Sequence, residues 1–438
     1  MHRTTLHSTG MRVTVQRLLA LAVLLALAAS GAARAGDRVR VLTSYPEELT
    51  VRYQAAFEAR HPGKRVEILW RQSADALAWL RRQRGQVDVY WAPAPGNFAA
   101  LRDQRRLLRL ELDREALPDA VGGSPISDAE GYFAAFELVG YGIAYNREAL
   151  ARLGLEAPLE WRELAAAAYQ GQVQMPIPGR VGFAPALVEA LLQGEGWDAG
   201  WALLAAIAGN GALAGRGGNR ADADDVAAGR VAARMTIDFF AARAIADGAP
   251  VAFAYPRRTL YNPAQIAIFA DAPNPAGARA FVDFALSDAG QRLLLHPDVR
   301  RLPVRKALYL SVELPAQPFA SDSLGYDGEL GRARQGLVAA LFDIALVRRN
   351  DELVELWRRL QQAEGGGQAQ HPALLRARQL LSAAPMALAE QADSELRQAF
   401  ANPTTASEPL RTRREAEWMA AVDARIAAAR AALRQAAR

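Results

Sequence analysis

The sequence predicts an α/β chain of two lobes linked by two crossing segments, with a purely helical appendage on its C-terminal side. Strand-like and helix-like patterns alternate through residues 39–91. A long strand-like run at 134–146 then opens a section with its own helices, which closes where a second strand-like run, 251–255, follows. Past about residue 315 only helical periodicity remains.

Taken in order, Val39 to Leu42 reads as a strand, and Glu48 to Arg60 as an amphipathic helix with Leu49, Tyr53 and Phe57 at four-residue spacing. A turn at His61-Pro62-Gly63 leads to a strand, Arg65 to Trp70. Ser73 stands where a helix N-cap belongs, ahead of Leu77 and Leu80, and Val87 to Trp91 is a third strand. This order implies a parallel sheet with right-handed crossovers. The second section offers helices at 185–193, around Trp197 and Trp201, and at 221–229, with a return through 231–237. Residues 276–295 read as one helix whose inner face carries Phe281, Phe284, Leu286 and Leu293. In the appendage, apolar stripes run through Leu337, Leu341, Ile344, Leu353, Leu356 and Leu360, and through Trp418, Val422, Ile426 and Leu433. Gly365-Gly366-Gly367 and 403–409 punctuate them. The appendage is expected to dock on the first lobe.

Residues 1–35 carry a basic start, the apolar run Leu18 to Ala29 and Ala33-Arg34-Ala35, the order of a secretory signal cleaved after Ala35. The apolar run falls short of the roughly 20 residues a membrane-spanning helix needs. Loss of that segment removes four arginines and no acid, so the 52 basic and 47 acidic residues become almost balanced. A nearly neutral chain gives no reason to expect nucleic acid or an anionic membrane as partner. All basic residues but Lys64 and Lys306 are arginine, a bias that gives each single arginine little functional meaning. The absence of cysteine excludes disulfides, thiolate metal sites and cysteine nucleophiles. With 438 residues, the chain is longer than one hydrophobic core sustains, and 51% hydrophobic residues suffice to fill two or three. No GxSxG, HExxH, P-loop or histidine-centred constellation points to an enzyme.

In parallel sheets, ligands bind outside the carboxyl ends of the strands, here the loops Thr43 to Pro46, Arg71 to Ala74 and Ala92 to Gly96. Ser44 and Ser73 sit at strand ends that open helices, where hydroxyls and free backbone N–H groups favour an anion. Each serine is equally at home as an ordinary N-cap. Tyr45, Ala74 and Pro93 share those loops, and Tyr45 and Phe239 either wall a pocket or belong to the core. Arg180 and Arg216, in glycine-containing loops of the second lobe, suit bidentate recognition of phosphate or carboxylate, or are plain solvated arginines. Asp238 either meets a ligand or holds the hinge. Trp197 and Trp201, four apart, read as core, and Arg257-Arg258 as surface.

Val41-Leu42-Thr43-Ser44, Gly142 to Asn146, Gly194 to Trp197, Asn210-Gly211-Ala212 and Asn274-Pro275 through Phe281 to Gln291 resemble the periplasmic (type II) solute-binding proteins, among them iron(III) and phosphonate binders. Tyr169-Gln170-Gly171, Gly196 to Trp201, Ile237-Asp238 and the appendage segment Gln335 to Val338, Leu341 to Asp343 and Trp357-Arg358 resemble more closely the branch of that family that regulates phosphoglycerate transport.

The resemblance implies a two-lobed periplasmic binding-protein fold with two hinge crossings. Lobe 1 is expected at 36–133 and 251–315, lobe 2 at 134–250, and the appendage at 316–438. It also implies a monomeric, non-enzymatic periplasmic binder without cofactor, which presents a small anionic ligand of phosphorylated-carboxylate or phosphonate type to an ABC permease or to the periplasmic domain of a sensor histidine kinase. Iron(III) transport and an exported enzyme are the alternatives. Where the iron binders of this fold carry two adjacent tyrosines, this sequence has Phe239-Phe240, which offer no oxygen. The five histidines show no ligand spacing, so no metal is expected.

Overall fold

The computed structural model describes residues 38–214, 225–311, 314, 316–320 and 322–437, so the expected signal segment and Arg216 lie outside the described residues. The protein is a mixed α/β chain in two compact units. Within the described residues the first runs to Leu110 and resumes at Ile266–Ala285; the second comprises Glu111–Gln265 and everything from Leu286 on.

The first unit opens β1 (Arg38–Thr43), α1 (Glu47–Arg60), β2 (Arg65–Trp70), α2 (Ser73–Arg82), β3 (Val89–Ala92), α3 (Pro95–Asp103). Strand β1 is central, parallel to β2 from Arg38↔Arg65 to Thr43↔Trp70 and parallel to β3 from Val41↔Val89 to Thr43↔Trp91. The spacing that predicts α1 is the one that buries it: Leu49, Tyr53 and Phe57 are all inside. Tyr53 packs on Trp91 at 5.0 Å between ring centroids, and Phe57 on Phe281 at 5.4 Å. Asp88, at the entry to β3, is buried; one oxygen accepts from the Arg40 N–H at 2.7 Å and the other from the Asn274 N–H at 2.6 Å. Burial raises its pKa above the ordinary aspartate value, while those two amides pull the other way.

In the second unit a short hairpin of β4 (Ala120–Val121) and β5 (Ser124–Pro125) precedes β6 (Ala134–Asn146), α4 (Arg147–Leu153), β7 (Val173–Pro176), α5 (Ala184–Glu195), α6 (Trp197–Gly209) and β8 (Gly211–Ala214). Then come β9 (Ala233–Ile237), α7 (Asp238–Ala246), β10 (Val251–Ala254) and β11 (Tyr261–Ile268), the strand on which the chain passes back to the first unit. Strands β9 and β10 run antiparallel to the C-terminal half of β6, and β7 runs parallel to both β8 and β9. Residues 221–224 of the helix expected at 221–229 lie outside the described residues, and its described part is a single turn at 225–227.

The helix expected over 276–295 is two helices, α8 (Pro275–Leu286) and α9 (Asp288–Leu293). Ser287 divides them: its backbone is extended and its hydroxyl caps α9 by accepting from the Gly290 N–H at 3.2 Å. Next follow β12 (Leu302–Pro303), antiparallel to β6 at Leu138 and Glu137, and α10 (Lys306–Ser311).

The C-terminal helices are α11 (Gly328–Phe342), α12 (Asn350–Ala363), α13 (Pro372–Ser382), α14 (Ser394–Ala401) and α15 (Glu408–Ala436). They pack within the second unit, whereas the first lobe was the expected docking face. Leu337, Leu341, Trp357, Leu374, Trp418 and Ile426 belong to one buried cluster with Leu187, Leu191, Trp201, Leu204 and Ile207 of α5 and α6. The reason lies in α6, which is apolar on nearly every face and needs cover on both sides. Trp357 supplies part of it, lying so close to Gly209 that a Cβ there would stand 2.2 Å from the indole ring. Polar ties fix the arrangement. Arg334 and Glu189, both buried, form a guanidinium–carboxylate fork with Nε 2.9 Å from each oxygen, and the Trp197 N–H donates to the Met386 carbonyl at 2.9 Å. Trp197 and Trp201 are core, edge to face at 5.8 Å.

The compact units differ from the expected division at 133/134 and 250/251, for a reason visible in β6. It is one uninterrupted strand, with β12 on its first half and β9 and β10 on its second, and it therefore gathers 111–133 and the chain after 286 around itself.

Candidate functional site

In the first unit the turns after β1, β2 and β3 converge. Ser44 Oγ and Ser73 Oγ are 2.8 Å apart, joining the first turn to the second. Neither serine is an N-cap: Pro46 and Gln72 hold those positions, without side-chain capping bonds. Because only one hydroxyl donates within the pair, the other keeps its proton for an external acceptor. Asn97, in the first turn of α3, joins the third turn to the second; its amide donates to the Ser73 carbonyl at 2.8 Å and to the Tyr90 hydroxyl at 2.9 Å. The residue escapes sequence reasoning because its role depends on which strand lies beside which; its only local signal is a polar side chain straight after Pro95-Gly96. Tyr90 is fully buried on Phe98, ring centroids 4.6 Å apart, and burial raises its pKa above the usual phenol value.

Ser73 and Ala74 are the first two residues of α2, so their N–H groups have no partner within the helix. Together with the serine pair they form an uncharged donor cluster. Charge enters from both signs. Glu47, Glu48 and Asp75 occupy the first turns and are exposed, while the guanidinium of Arg71 lies over the Trp79 ring at 4.5 Å. Pro93 is exposed beside the cluster. Tyr45 packs in the core, 1% exposed, its ring 4.9 Å from Trp91.

In the second unit Arg180 is exposed, and its guanidinium has no hydrogen bond or ion pair among the described residues. Asp238 is 6% exposed, and Oδ2 accepts from the Gly140 N–H at 2.7 Å and the Tyr255 hydroxyl at 3.2 Å. Burial pushes its pKa up to about 7, against the opposing pull of the Gly140 amide and of Arg301. Phe239 is half-buried, with the Arg301 guanidinium over its ring at 4.7 Å, and Arg301 pairs with buried Glu137 at 2.5 Å. Arg257 is exposed and pairs with Glu160 at 3.0 Å. Among the described residues there is no group of three or more His, Cys, Asp or Glu able to hold a metal, and no helix long and apolar enough to cross a membrane.

A parallel sheet whose βα turns gather hydroxyl and amide donors offers a ligand site outside the carboxyl ends of its strands. The chain belongs to the bacterial extracellular solute-binding protein family, which residues 113–320 match. The phosphoglycerate transport regulatory protein PgtC of Salmonella typhimurium is 31% identical over 329 residues, 74% of this chain and 79% of the relative, and PgtC of Salmonella typhi matches equally. Among solved structures, an extracellular solute-binding protein from Bordetella parapertussis superposes with TM-score 0.57 at 17% identity, covering 71% of this chain and 99% of that one. Trichodesmium IdiA (FutA), in complex with iron and citrate, follows with TM-score 0.54 at 16% identity, covering 70% and 98%. At these identities the two structures speak to the fold, which is the two-lobed periplasmic binding-protein fold.

Proposed function

We propose that this protein binds a small phosphorylated carboxylate outside the cytoplasmic membrane, with Ser44, Ser73 and the N-terminus of α2 as donors, and presents it to a membrane importer or sensor kinase without chemical turnover. The observation that carries the reading is the 2.8 Å hydroxyl pair joining two βα turns. Such a pair leaves a proton directed by neither helix and ready for an anionic oxygen, and Asn97 holds the second turn in place. The name of the Salmonella relatives supplies the ligand class, a phosphoglycerate. Arg180, whose guanidinium has no partner among the described residues, is the cationic candidate of the second unit. Iron(III) fits less well, since Phe239 and Phe240 stand where the iron binders of the fold supply phenolate oxygens.

The test is thermal unfolding of the mature protein with 3-phosphoglycerate, 2-phosphoglycerate, phosphoenolpyruvate, glycerate, inorganic phosphate and ferric citrate. A ligand that binds only the folded state raises the midpoint by mass action. The expected result is a rise with one of the phosphorylated carboxylates, absent with glycerate and lost in the Ser44→Ala/Ser73→Ala double variant. A rise with ferric citrate alone, or an equal rise in the double variant, refutes the assignment. So does conversion of any of these compounds to product.

A further inference from the structure

Strand β6 changes partners midway. Its pairing with β12 covers Glu137 and Leu138, whereas its pairing with β9 starts at Tyr141 and that with β10 at Ile143. Val139 and Gly140 fall between the two sets. At that point the Gly140 N–H is taken by a side chain, the Asp238 carboxylate at 2.7 Å. The same oxygen accepts from Tyr255, one residue past β10. Asp238 itself is the first residue of α7, immediately after β9. One oxygen thus ties the changeover in β6 to the ends of the two strands that flank it beyond the gap.

The packing leaves no room for a different solution. A Cβ on Gly140 would stand 2.3 Å from the Tyr255 ring and 3.1 Å from the carboxylate oxygen. A second tie crosses the same gap in parallel: Arg301, just ahead of β12, lies over the Phe239 ring while pairing with Glu137 of β6.

We propose that Asp238 is a latch across the partner changeover of β6, closed while the carboxyl holds its proton and loosened when it ionises. The groups that face it are the Arg301 and Glu137 charges and the hydroxyls of Tyr141, Tyr255, Tyr261 and Tyr309. All four phenols have pKa values pushed up by burial, so none ionises near neutrality and the carboxyl is the group that changes state there. The carboxylate holds the Gly140 and Tyr255 donors more tightly than the neutral acid does, but ionisation also strands a charge away from water; burial outweighs those donors here, so an open, hydrated joint is favoured by about fivefold or more as the carboxyl ionises. The inference stands whichever ligand is bound, because it concerns a joint within the second unit and uses no residue of the serine cluster.

Amide hydrogen exchange on the ligand-free, full-length protein tests it. The protection factor of the Gly140 N–H, corrected for intrinsic exchange, is followed from pH 5.5 to 8.5. The expected result is a fall of about fivefold or more as pH rises from 5.5 to the midpoint of the Asp238 carboxyl, level above it, and a flat profile in Asp238→Asn. A flat wild-type profile overturns the proposal, as does an Asp238→Asn profile that keeps the wild-type pH dependence. Tyr255→Phe serves as the second variant should Asp238→Asn fold poorly. Loss of one donor to the carboxylate moves the midpoint to higher pH, and an unmoved midpoint in that variant also overturns the latch.

Discussion

Replacing Arg334 by methionine strands Glu189 in the core that α5 shares with α11. The side chains of the pair are 5% and 3% exposed, and the guanidinium makes bonds of 2.9 Å to both carboxylate oxygens with a further contact at 2.6 Å. Gln193 also donates to the Glu189 carboxylate at 2.7 Å, and Arg334 reaches the Gln391 side chain at 3.2 Å while covering the Trp197 ring at 5.1 Å. Removal of one member leaves a buried charge with little compensation, a loss of about 3–5 kcal/mol. Replacement of both by methionine removes the charge as well as its partner, and the double variant is expected within about 1 kcal/mol of wild type or above it. Urea unfolding followed by tryptophan fluorescence and by far-ultraviolet dichroism gives all four corners of the cycle, provided the two probes coincide. If Arg334→Met costs less than about 1 kcal/mol, or the double variant loses the sum of the two singles, the pair is solvated or additive and the picture of a shared dry core is wrong.

Three further outcomes follow from the geometry. Gly209→Ala forces a methyl into the Trp357 indole and is expected to cost about 1–3 kcal/mol through overpacking, read as a lowered urea midpoint; an unchanged midpoint excludes the close approach. Asn97→Ala removes the side-chain donor to the Ser73 carbonyl and leaves the buried Tyr90 hydroxyl without its donor, with an expected loss of about 1–3 kcal/mol in thermal unfolding and weaker phosphorylated-carboxylate binding. For Asp238 the folded-state pKa, about 7, lies above the ordinary 3.8, so the folded protein holds this proton more tightly than the unfolded chain does. Wild-type stability therefore falls relative to Asp238→Asn as pH rises from about 4 to about 7, by at most ~4 kcal/mol, and the gap stays constant above that; a gap independent of pH contradicts the burial of the carboxyl.

Local periodicity made much of the fold readable. The four-residue spacing of Leu49, Tyr53 and Phe57 gives both the helix and its buried face, and the unbroken run Ala134 to Asn146 gives the long strand of the second unit. The break at Ser287 was hidden because the apolar stripe from Phe281 to Leu293 passes straight across it; the Ser-Asp pair that opens α9 was the signal available. The docking face of the appendage is not legible in its stripes, because a stripe announces burial and not the surface that buries it. That surface was written in α6, whose apolar residues surround the helix. Of the candidate site, the two serines are brought together as their place at strand ends implied, whereas Asn97 and the Glu137–Arg301 pair depend on neighbours distant in sequence. No window of residues contains that information.

The shared core also changes how a membrane partner for the appendage is to be sought. Truncation near residue 320 would bare the flanks of α5 and α6 that Leu337, Leu341 and Trp357 cover, so a shortened chain is expected to lose folded structure and ligand binding together. Charge reversal on the exposed face of α15 avoids that. Arg413 is 67% exposed and Arg434 is exposed, and neither side chain belongs to the buried cluster. In Arg413→Glu/Arg434→Glu the ligand-induced rise in unfolding temperature is expected to equal that of wild type, because the core and the serine cluster are untouched. If the appendage is the surface that a permease or a sensor kinase reads, ligand-dependent uptake or gene induction in cells falls while that rise persists. Full uptake and induction at equal expression rule this face out as the contact, and a diminished rise shows that the surface of α15 is coupled to the binding unit in a way its packing does not explain.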